Sequence, residues 1–134
     1  MAFHDELKRY REEILNVSQE EIIKRLHFTQ PALSNYENGK RQISVEILPE
    51  IRDAYSIPED LMMKMIFGQD AGKEYSPMML REHARDADLQ RIIEMLDGNK
   101  PLMDLLVTLS YASEKAQKEL TEFLPHAFKY GQLR

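Results

Sequence analysis

The sequence predicts an all-α protein, with a compact N-terminal domain of five helices followed by a C-terminal helical hairpin or bundle. Three observations support this class. Apolar residues recur three and four positions apart along most of the chain, which is the spacing of one helical face. Serine or threonine stands before several of these runs, where helix N-caps are expected, and glycine or proline follows them. The 134 residues suffice for a domain of about 65 residues and an accessory element.

Composition limits the protein class. Apolar residues make up 43% of the chain and charged residues 31%, as in soluble globular proteins. The absence of cysteine excludes a disulfide framework and suits a reducing cytoplasm. The N-terminus lacks the apolar core of a secretory signal, and no run approaches the roughly 18 apolar residues of a membrane span. We therefore expect a cytoplasmic protein without a membrane segment.

The first two predicted helices meet near residue 17. The first covers residues 5–15, and its apolar face consists of Leu7, Tyr10, Ile14 and Leu15. The second begins after Ser18, because a serine followed three residues later by glutamate forms a capping box, and Val17 with Ile22 forms a hydrophobic staple. This helix should end near His27.

The third predicted helix has an unusual polar face. Thr29 is its N-cap, Pro31 lies in its first turn, and Asn38-Gly39 ends it. The side turned away from the apolar residues carries amide and hydroxyl groups, on Gln30, Ser34 and Asn35. A helix that needs only solubility would not require such a face.

Two further helices complete the N-terminal domain, which we place at residues 1–68. Ser44 is predicted to cap the fourth helix, and the fifth follows Pro58. Glycines and polar residues at 69–76 indicate a linker.

Residues 77–134 are predicted to form a helical dimerisation or partner-binding element. One helix runs from Pro77 to Leu96, or two if Asp86 starts a second. The longest helix is expected from Pro101 to about Leu124, with Pro125 ending it. Its apolar stripe is wider than one partner helix can cover, so a homodimer through residues 77–124 is expected.

Three segments resemble the helix-turn-helix domains of the Cro and phage-repressor (XRE) family. They are Leu7–Glu13, Ser18–Ile22 and Leu33–Lys40, and the S-x-x-E-N-G-K pattern at residues 34–40 is the most specific. The resemblance covers about residues 5–66. It implies a five-helix, lambda-repressor-like domain whose third helix lies in the major groove of double-stranded DNA, while the second crosses the backbone.

The resemblance also assigns contacts by position. Base edges would be contacted by Gln30, Pro31, Ser34 and Asn35. Phosphates would be contacted by Gln19 and Thr29, at two helix N-termini, and by Lys40 and Arg41, with Lys24 or Arg25 as weaker candidates. Arg11 and Glu37 would form a buried pair that serves folding. Independently of the family, glutamine and asparagine can bond adenine bidentately and proline can meet a thymine methyl, which favours a site rich in A·T pairs.

Three departures from the family pattern predict local differences. The loop over residues 14–17 is one residue longer than usual, which would change the angle of the first helix and weaken the Arg11–Glu37 pair. Ile23 replaces a small residue and would separate the two helices. His27 replaces the usual turn glycine, so we expect a slightly altered turn.

Charge is the main observation against a nucleic-acid partner. The net charge is -5, and residues 1–68 hold nine Lys and Arg against twelve Asp and Glu. Basic pairs nevertheless stand at positions 24–25 and 40–41, whereas five acidic residues belong to later helices that can face away: Glu46, Glu50, Asp53, Glu59 and Asp60. Modest, salt-sensitive affinity per monomer is expected, with dimerisation supplying the rest.

These observations predict a sequence-specific regulator of transcription that acts as a dimeric repressor on a pseudo-palindromic operator. The alternative is an antitoxin-type protein whose C-terminal helices bind another protein while the N-terminal domain represses its own operon. A third interpretation makes residues 18–39 a helical hairpin of a protein-binding bundle. No enzyme activity, cofactor or metal is expected, because no nucleophile has a positioned base and the four histidines are scattered.

Overall fold

The computed structural model describes residues 1–68 and 73–130, and the side chains as far as residue 127. The described residues are all-α, as predicted. They contain the helices α1 (Phe3–Arg9), α2 (Gln19–Ile22), α3 (Gln30–Glu37), α4 (Leu48–Tyr55), α5 (Glu59–Phe67), α6 (Pro77–Asp97), α7 (Lys100–Ser110) and α8 (Glu114–Tyr130). The chain divides into an N-terminal unit, Met1–Leu89, and a C-terminal unit, Gln90–Arg134. None of the described helices is long and apolar enough to cross a membrane.

The first helix contains a π-helical segment. α1 continues without a break as a π helix over Tyr10–Leu15, and Asn16 ends it in the left-handed conformation with φ 53°. A π turn holds one residue more than an α turn, because its hydrogen bonds close from i to i+5. The additional residue of this region is therefore taken up inside the helix.

α2 is shorter than predicted and ends in a 3-10 turn. The Ser18 hydroxyl accepts a hydrogen bond from the Glu21 backbone N–H at 3.1 Å, as the capping-box pattern predicts. A 3-10 turn over Ile23–Arg25 follows α2, and Leu26 is extended with φ -119° and ψ 157°. His27 is not among the described residues with positive φ, so the turn forms without the left-handed residue that glycine would supply.

α3 begins and ends where the sequence predicts. The Thr29 hydroxyl accepts from the Ala32 backbone N–H at 3.3 Å. At the other end, Gly39 has φ 73° and its N–H donates to Tyr36 O at 3.2 Å, while Lys40 N–H donates to Asn35 O at 3.0 Å. These two bonds form a Schellman motif, which satisfies the last carbonyls of α3.

The predicted start of the fourth helix is wrong by three residues. Ser44 makes no side-chain cap bond; a 3-10 turn over Val45–Ile47 precedes α4, which begins at Leu48. An α-helix beginning at Val45 would place Pro49 in its second turn, where the proline ring clashes with the carbonyl four residues earlier. With Leu48 as the first residue, Pro49 lies in the first turn and costs no bond. α5 follows Pro58 as predicted.

The core of the N-terminal unit includes a residue from α6. It consists of Leu7, Tyr10, Ile22, Leu26, Leu33, Ile51, Ala54, Tyr55, Ile57, Met62, Met65 and Leu80. Arg81 of α6 donates from Nε to Ile14 O at 2.9 Å and from Nη2 to Glu13 O at 3.0 Å. The compact unit thus reaches residue 89, beyond the domain predicted at 1–68, because the first half of α6 packs on it.

The predicted linker at 69–76 is described only in part. Residues 69–72 lie outside the described residues, and residues 73–76 form no helix. The Tyr75 hydroxyl donates to the Asp60 carboxylate at 2.7 Å, and this hydrogen bond holds the pKa of Asp60 below its usual value.

The C-terminal unit contains two helices where one was predicted. The helix expected over residues 101–124 is interrupted at residues 111–113, because Ser113 caps α8 through the Ala116 N–H at 3.2 Å. Gln117 Nε2 satisfies two carbonyls at the break, Leu109 O at 3.0 Å and Ala112 O at 3.3 Å. Pro125 does not end α8 but lies inside it. α6 is one helix, without a second start at Asp86.

The C-terminal unit has no buried residue among those whose side chains are described, 90–127. Its exposed large apolar residues are Ile92, Ile93, Met95, Met103, Leu105, Leu106, Val107, Tyr111, Phe123 and Leu124. The amphipathic pattern found in the sequence is therefore present, but the unit does not cover it.

Candidate DNA-binding surface

α3 presents one buried face and one polar exposed face. Leu33, Tyr36 and Glu37 are buried. Of the four residues predicted to contact bases, Gln30, Pro31 and Asn35 are exposed and Ser34 is half-buried. These side chains thus share the outer face of one helix, which is the arrangement that base contacts in a major groove require.

A buried ion pair holds α3 against the π-helical segment that continues α1. Arg11 donates from Nε to Glu37 Oε2 at 2.8 Å and from Nη2 to Glu37 Oε1 at 2.9 Å, and the two side chains are 7% and 2% exposed. Arg11 Nη1 also donates to Val17 O at 2.9 Å. The hydrogen bond to Glu37 raises the pKa of Arg11. The expected weakening of this pair was wrong, because the π-helical turn takes up the additional residue.

Gln19 connects the start of α2 to the same pair. Its side-chain Nε2 donates to Glu37 Oε1 at 2.9 Å. The family pattern assigns Gln19 to a phosphate contact. It does not predict the bond to Glu37, since residues 18 positions apart give no local signal. A primary amide has two hydrogens, so one remains for a second acceptor. The bond fixes where that hydrogen can point.

The N-terminus of α3 offers few backbone donors. Pro31 has no N–H, and the N–H groups of Ala32 and Leu33 are bonded to Thr29. Thr29 and Gln30 are both exposed at this end. A phosphate here would therefore be bound by the Thr29 hydroxyl and the Gln30 N–H.

Lys40 and Arg41 follow α3 and are both exposed. The Arg41 guanidinium lies 5.3 Å from the centre of the Tyr36 ring, a cation–π contact. Phe28 packs edge-on against the same ring at 5.3 Å. The aromatic pair therefore sets the position of Arg41 beside the C-terminal end of α3.

Two charged residues make contacts that the sequence did not predict. Arg25 is directed to other helices: it donates to Ala54 O at 3.4 Å and to Asp88 Oδ2 at 3.5 Å, whereas Lys24 is exposed. Glu50 does not face away from the helix-turn-helix segment, because its carboxylate accepts from the His27 backbone N–H and lies 3.0 Å from His27 Nδ1. This contact fixes the turn between α2 and α3 to α4.

Metal-binding groups are not assembled in this surface. Within the described part of the chain, no group of three or more His, Asp or Glu side chains could hold a metal ion.

Comparison with known families agrees with this geometry. A family model described as helix-turn-helix matches residues 7–62, a range that includes all of α2, α3 and α4 and therefore every candidate contact named above. No curated protein and no solved structure matches the chain.

Proposed function

We propose that the chain, whose residues 7–62 match a helix-turn-helix family model of the Cro and phage-repressor (XRE) type, is a DNA-binding transcriptional regulator that acts as a dimeric repressor of a pseudo-palindromic operator. The observation that carries this proposal is the exposed amide face of α3, held rigidly by the buried Arg11–Glu37 pair.

Base recognition is assigned to the outer face of α3. Gln30 and Asn35 offer donor and acceptor together, which matches the edge of adenine, and each such pair discriminates by roughly 1–3 kcal/mol. Pro31 supplies an apolar surface for a thymine methyl, and Ser34 can donate or accept at either base. The ion pair behind the helix anchors the backbone that carries these groups.

Phosphate contacts are assigned to both ends of this surface. Gln19 and Thr29 would donate hydrogen bonds at the starts of α2 and α3, and Lys40 with Arg41 would supply positive charge. The net charge of the chain is -5, and only two cations are assigned to phosphate. We therefore expect modest affinity for DNA per monomer and a strong loss of affinity with added salt.

Dimerisation is assigned to the C-terminal unit. Its described side chains include no buried residue, and apolar groups such as Leu105 and Phe123 are 67% and 63% exposed. Surfaces of this kind mark interaction sites, and two helical hairpins that pack together form a four-helix bundle. In a symmetric dimer the two α3 helices would enter successive major grooves, about 34–36 Å apart.

A gel-shift titration with DNA flanking the protein's own coding sequence tests the proposal. We expect a site-selective complex that weakens steeply between 50 and 200 mM salt. Asn35→Ala should weaken this complex about tenfold or more while leaving binding to unrelated DNA unchanged. The matched control is Gln90→Ala, which removes an exposed amide outside residues 7–62, provided that sedimentation of this variant matches that of the parent chain. Equal loss on both DNAs would refute base contact by Asn35.

Sedimentation of the full chain tests the dimer separately. A stable homodimer at micromolar concentration is expected. A monomer whose C-terminal helices become protected only when another protein is added would instead favour the antitoxin alternative.

A further inference from the structure

A groove in the N-terminal unit combines three arginines with apolar side chains. Its volume is about 480 Å³. The segment of residues 14–17 forms one wall and the first half of α6 forms the other. Ile14, Leu15, Val17 and Ala84 supply much of its apolar surface.

The charge of this groove is opposite to that of the chain. Arg25, Arg81 and Arg85 line it, against one acidic residue, Asp88. The chain as a whole carries -5. Three arginines against one aspartate give the groove a local positive charge, although the chain as a whole is negative.

Several guanidinium donors in the groove remain available. Arg81 uses Nε and Nη2 for the carbonyls of Ile14 and Glu13, which leaves Nη1. The bonds of Arg25 are long, at 3.4 and 3.5 Å. Arg85 is exposed and has no hydrogen bond or ion pair among the described residues. A planar guanidinium suits carboxylate and phosphate oxygens, which it can bind through two parallel hydrogen bonds.

We propose that this groove binds a small organic anion, a carboxylate or phosphate head on an apolar body. The head would lie on Arg85 and Arg81, and the body would cover the apolar wall. The volume falls within the range of about 300–1,000 Å³ that small-molecule sites occupy, and an apolar lining with a few convergent polar groups is typical of such sites.

The position of the groove connects it to α3. Val17 belongs to its wall, and Val17 O accepts from the same Arg11 guanidinium that holds Glu37 of α3. A bound anion would thus act on the support of the DNA-contacting helix. This regulatory step rests on the proposed function, whereas the binding step does not.

Methyl-detected NMR titration of the full chain tests the binding step without DNA. We expect octanoate to shift the methyl signals of Ile14, Leu15, Val17 and Ala84. Octyl phosphate distinguishes the two anionic heads, and octanol is the neutral control of the same chain length. Arg85→Ala should raise the octanoate dissociation constant about tenfold or more. Arg91→Ala, an arginine of the same helix outside the groove, is the matched control and should leave it unchanged.

Absence of methyl shifts with either anion at millimolar concentration would overturn the proposal, and so would octanol binding as tightly as octanoate. If octanoate binds, the dissociation constant of the operator complex must change when octanoate is present. By linkage, the dissociation constant of octanoate must change by the same factor when the operator is bound. Unchanged operator affinity would overturn the regulatory step, while failure of DNA binding without octanoate would count against the proposed function alone.

Discussion

At the scale of single residues, Glu37 joins the fold to the proposed DNA contacts. Its two carboxylate oxygens accept from Arg11 at two positions and from Gln19 at a third. One buried carboxylate thereby fixes α1, the start of α2 and α3. The pair was expected from the family pattern, but the Gln19 bond was not, because it depends on how the helices pack.

Breaking this pair should cost far more than breaking an exposed one. Arg11→Met leaves the Glu37 carboxylate buried without its counterion, so we expect a loss of about 3–5 kcal/mol in the free energy of unfolding. Urea denaturation measures this loss. Arg9→Ala is the matched control, since Arg9 and Glu13 also lie 2.8 Å apart but are 62% and 61% exposed, and it should change stability little. Replacing Arg11 and Glu37 together by methionine should recover part of the loss, and an additive loss would contradict this account.

Tyr10 should make stability depend on pH in the alkaline range. Burial raises its pKa to about 12 from an ordinary 10, so the folded state holds the phenolic proton more tightly than the unfolded state. Stability is then fully present below pH 10 and falls as the pH rises from 10 to 12. Tyr10→Phe should reduce this loss of stability, as measured by urea midpoints across the range. Part of the loss should remain in the variant, because burial also raises the pKa of Tyr55.

The same substitution should not harm the protein at neutral pH. The Tyr10 hydroxyl is buried without a hydrogen-bond partner among the described residues, so removing it deletes an unsatisfied group. Tyr111→Phe is the control, because Tyr111 is 88% exposed and its loss should leave the alkaline fall unchanged. An alkaline fall in Tyr10→Phe as large as in the parent protein would refute the assignment.

At the scale of elements, helix existence follows from the sequence better than helix ends do. The staples, the caps and the Asn38-Gly39 stop predict α2 and α3, and Pro58 predicts the start of α5, because those signals act within a few residues. At the start of α4, the position of Pro49 outweighs the longer apolar pattern. At residues 111–113, the Ser113 cap interrupts another such pattern. The additional residue near positions 14–17 is visible in the sequence, but the pattern does not say that a π-helical turn takes it up.

The backbone at the end of α4 is strained, and relieving this strain should raise the stability of the protein. Ser56 adopts φ 51°, a left-handed conformation unfavourable for residues with a Cβ, and its buried hydroxyl has no partner among the described residues. Ser56→Gly should therefore raise the free energy of unfolding by about 0.5–1 kcal/mol, as measured in urea. Ser44→Gly is the control, since Ser44 has φ -76° and should gain nothing. A loss of stability in Ser56→Gly would show that the strain is absent.

At the scale of the whole molecule, the N-terminal unit has a core of buried apolar residues, whereas the described side chains of the C-terminal unit include no buried residue. The candidate DNA contacts lie in a unit with its own core, and they could be proposed from the sequence because the family pattern is local there. The boundary at residue 89 was not predicted, since Leu80 and Ala84 give the first half of α6 only a short apolar stripe.

A single charge in the apolar face of α7 should separate a dimer. Leu105→Glu would introduce two carboxylates into a symmetric interface and remove two leucines, so we expect the dimer dissociation constant to rise about a hundredfold or more in sedimentation equilibrium. Val45→Glu is the control, because Val45 is 76% exposed and lies in the other unit. Equal behaviour of the two variants would exclude α7 from the interface.

Sequence-specific recognition by α3 can be measured by selecting bound sequences from random double-stranded DNA, because the full chain then chooses its own site. We expect enrichment of a pseudo-palindrome, rich in A·T pairs, with half-site centres about 10 base pairs apart. Asn35→Ala should relax the enriched sequence at the position that Asn35 contacts, whereas Gln90→Ala should leave the sequence unchanged. Retention of DNA without any enriched sequence, or enrichment of a single unpaired half-site, would contradict this expectation.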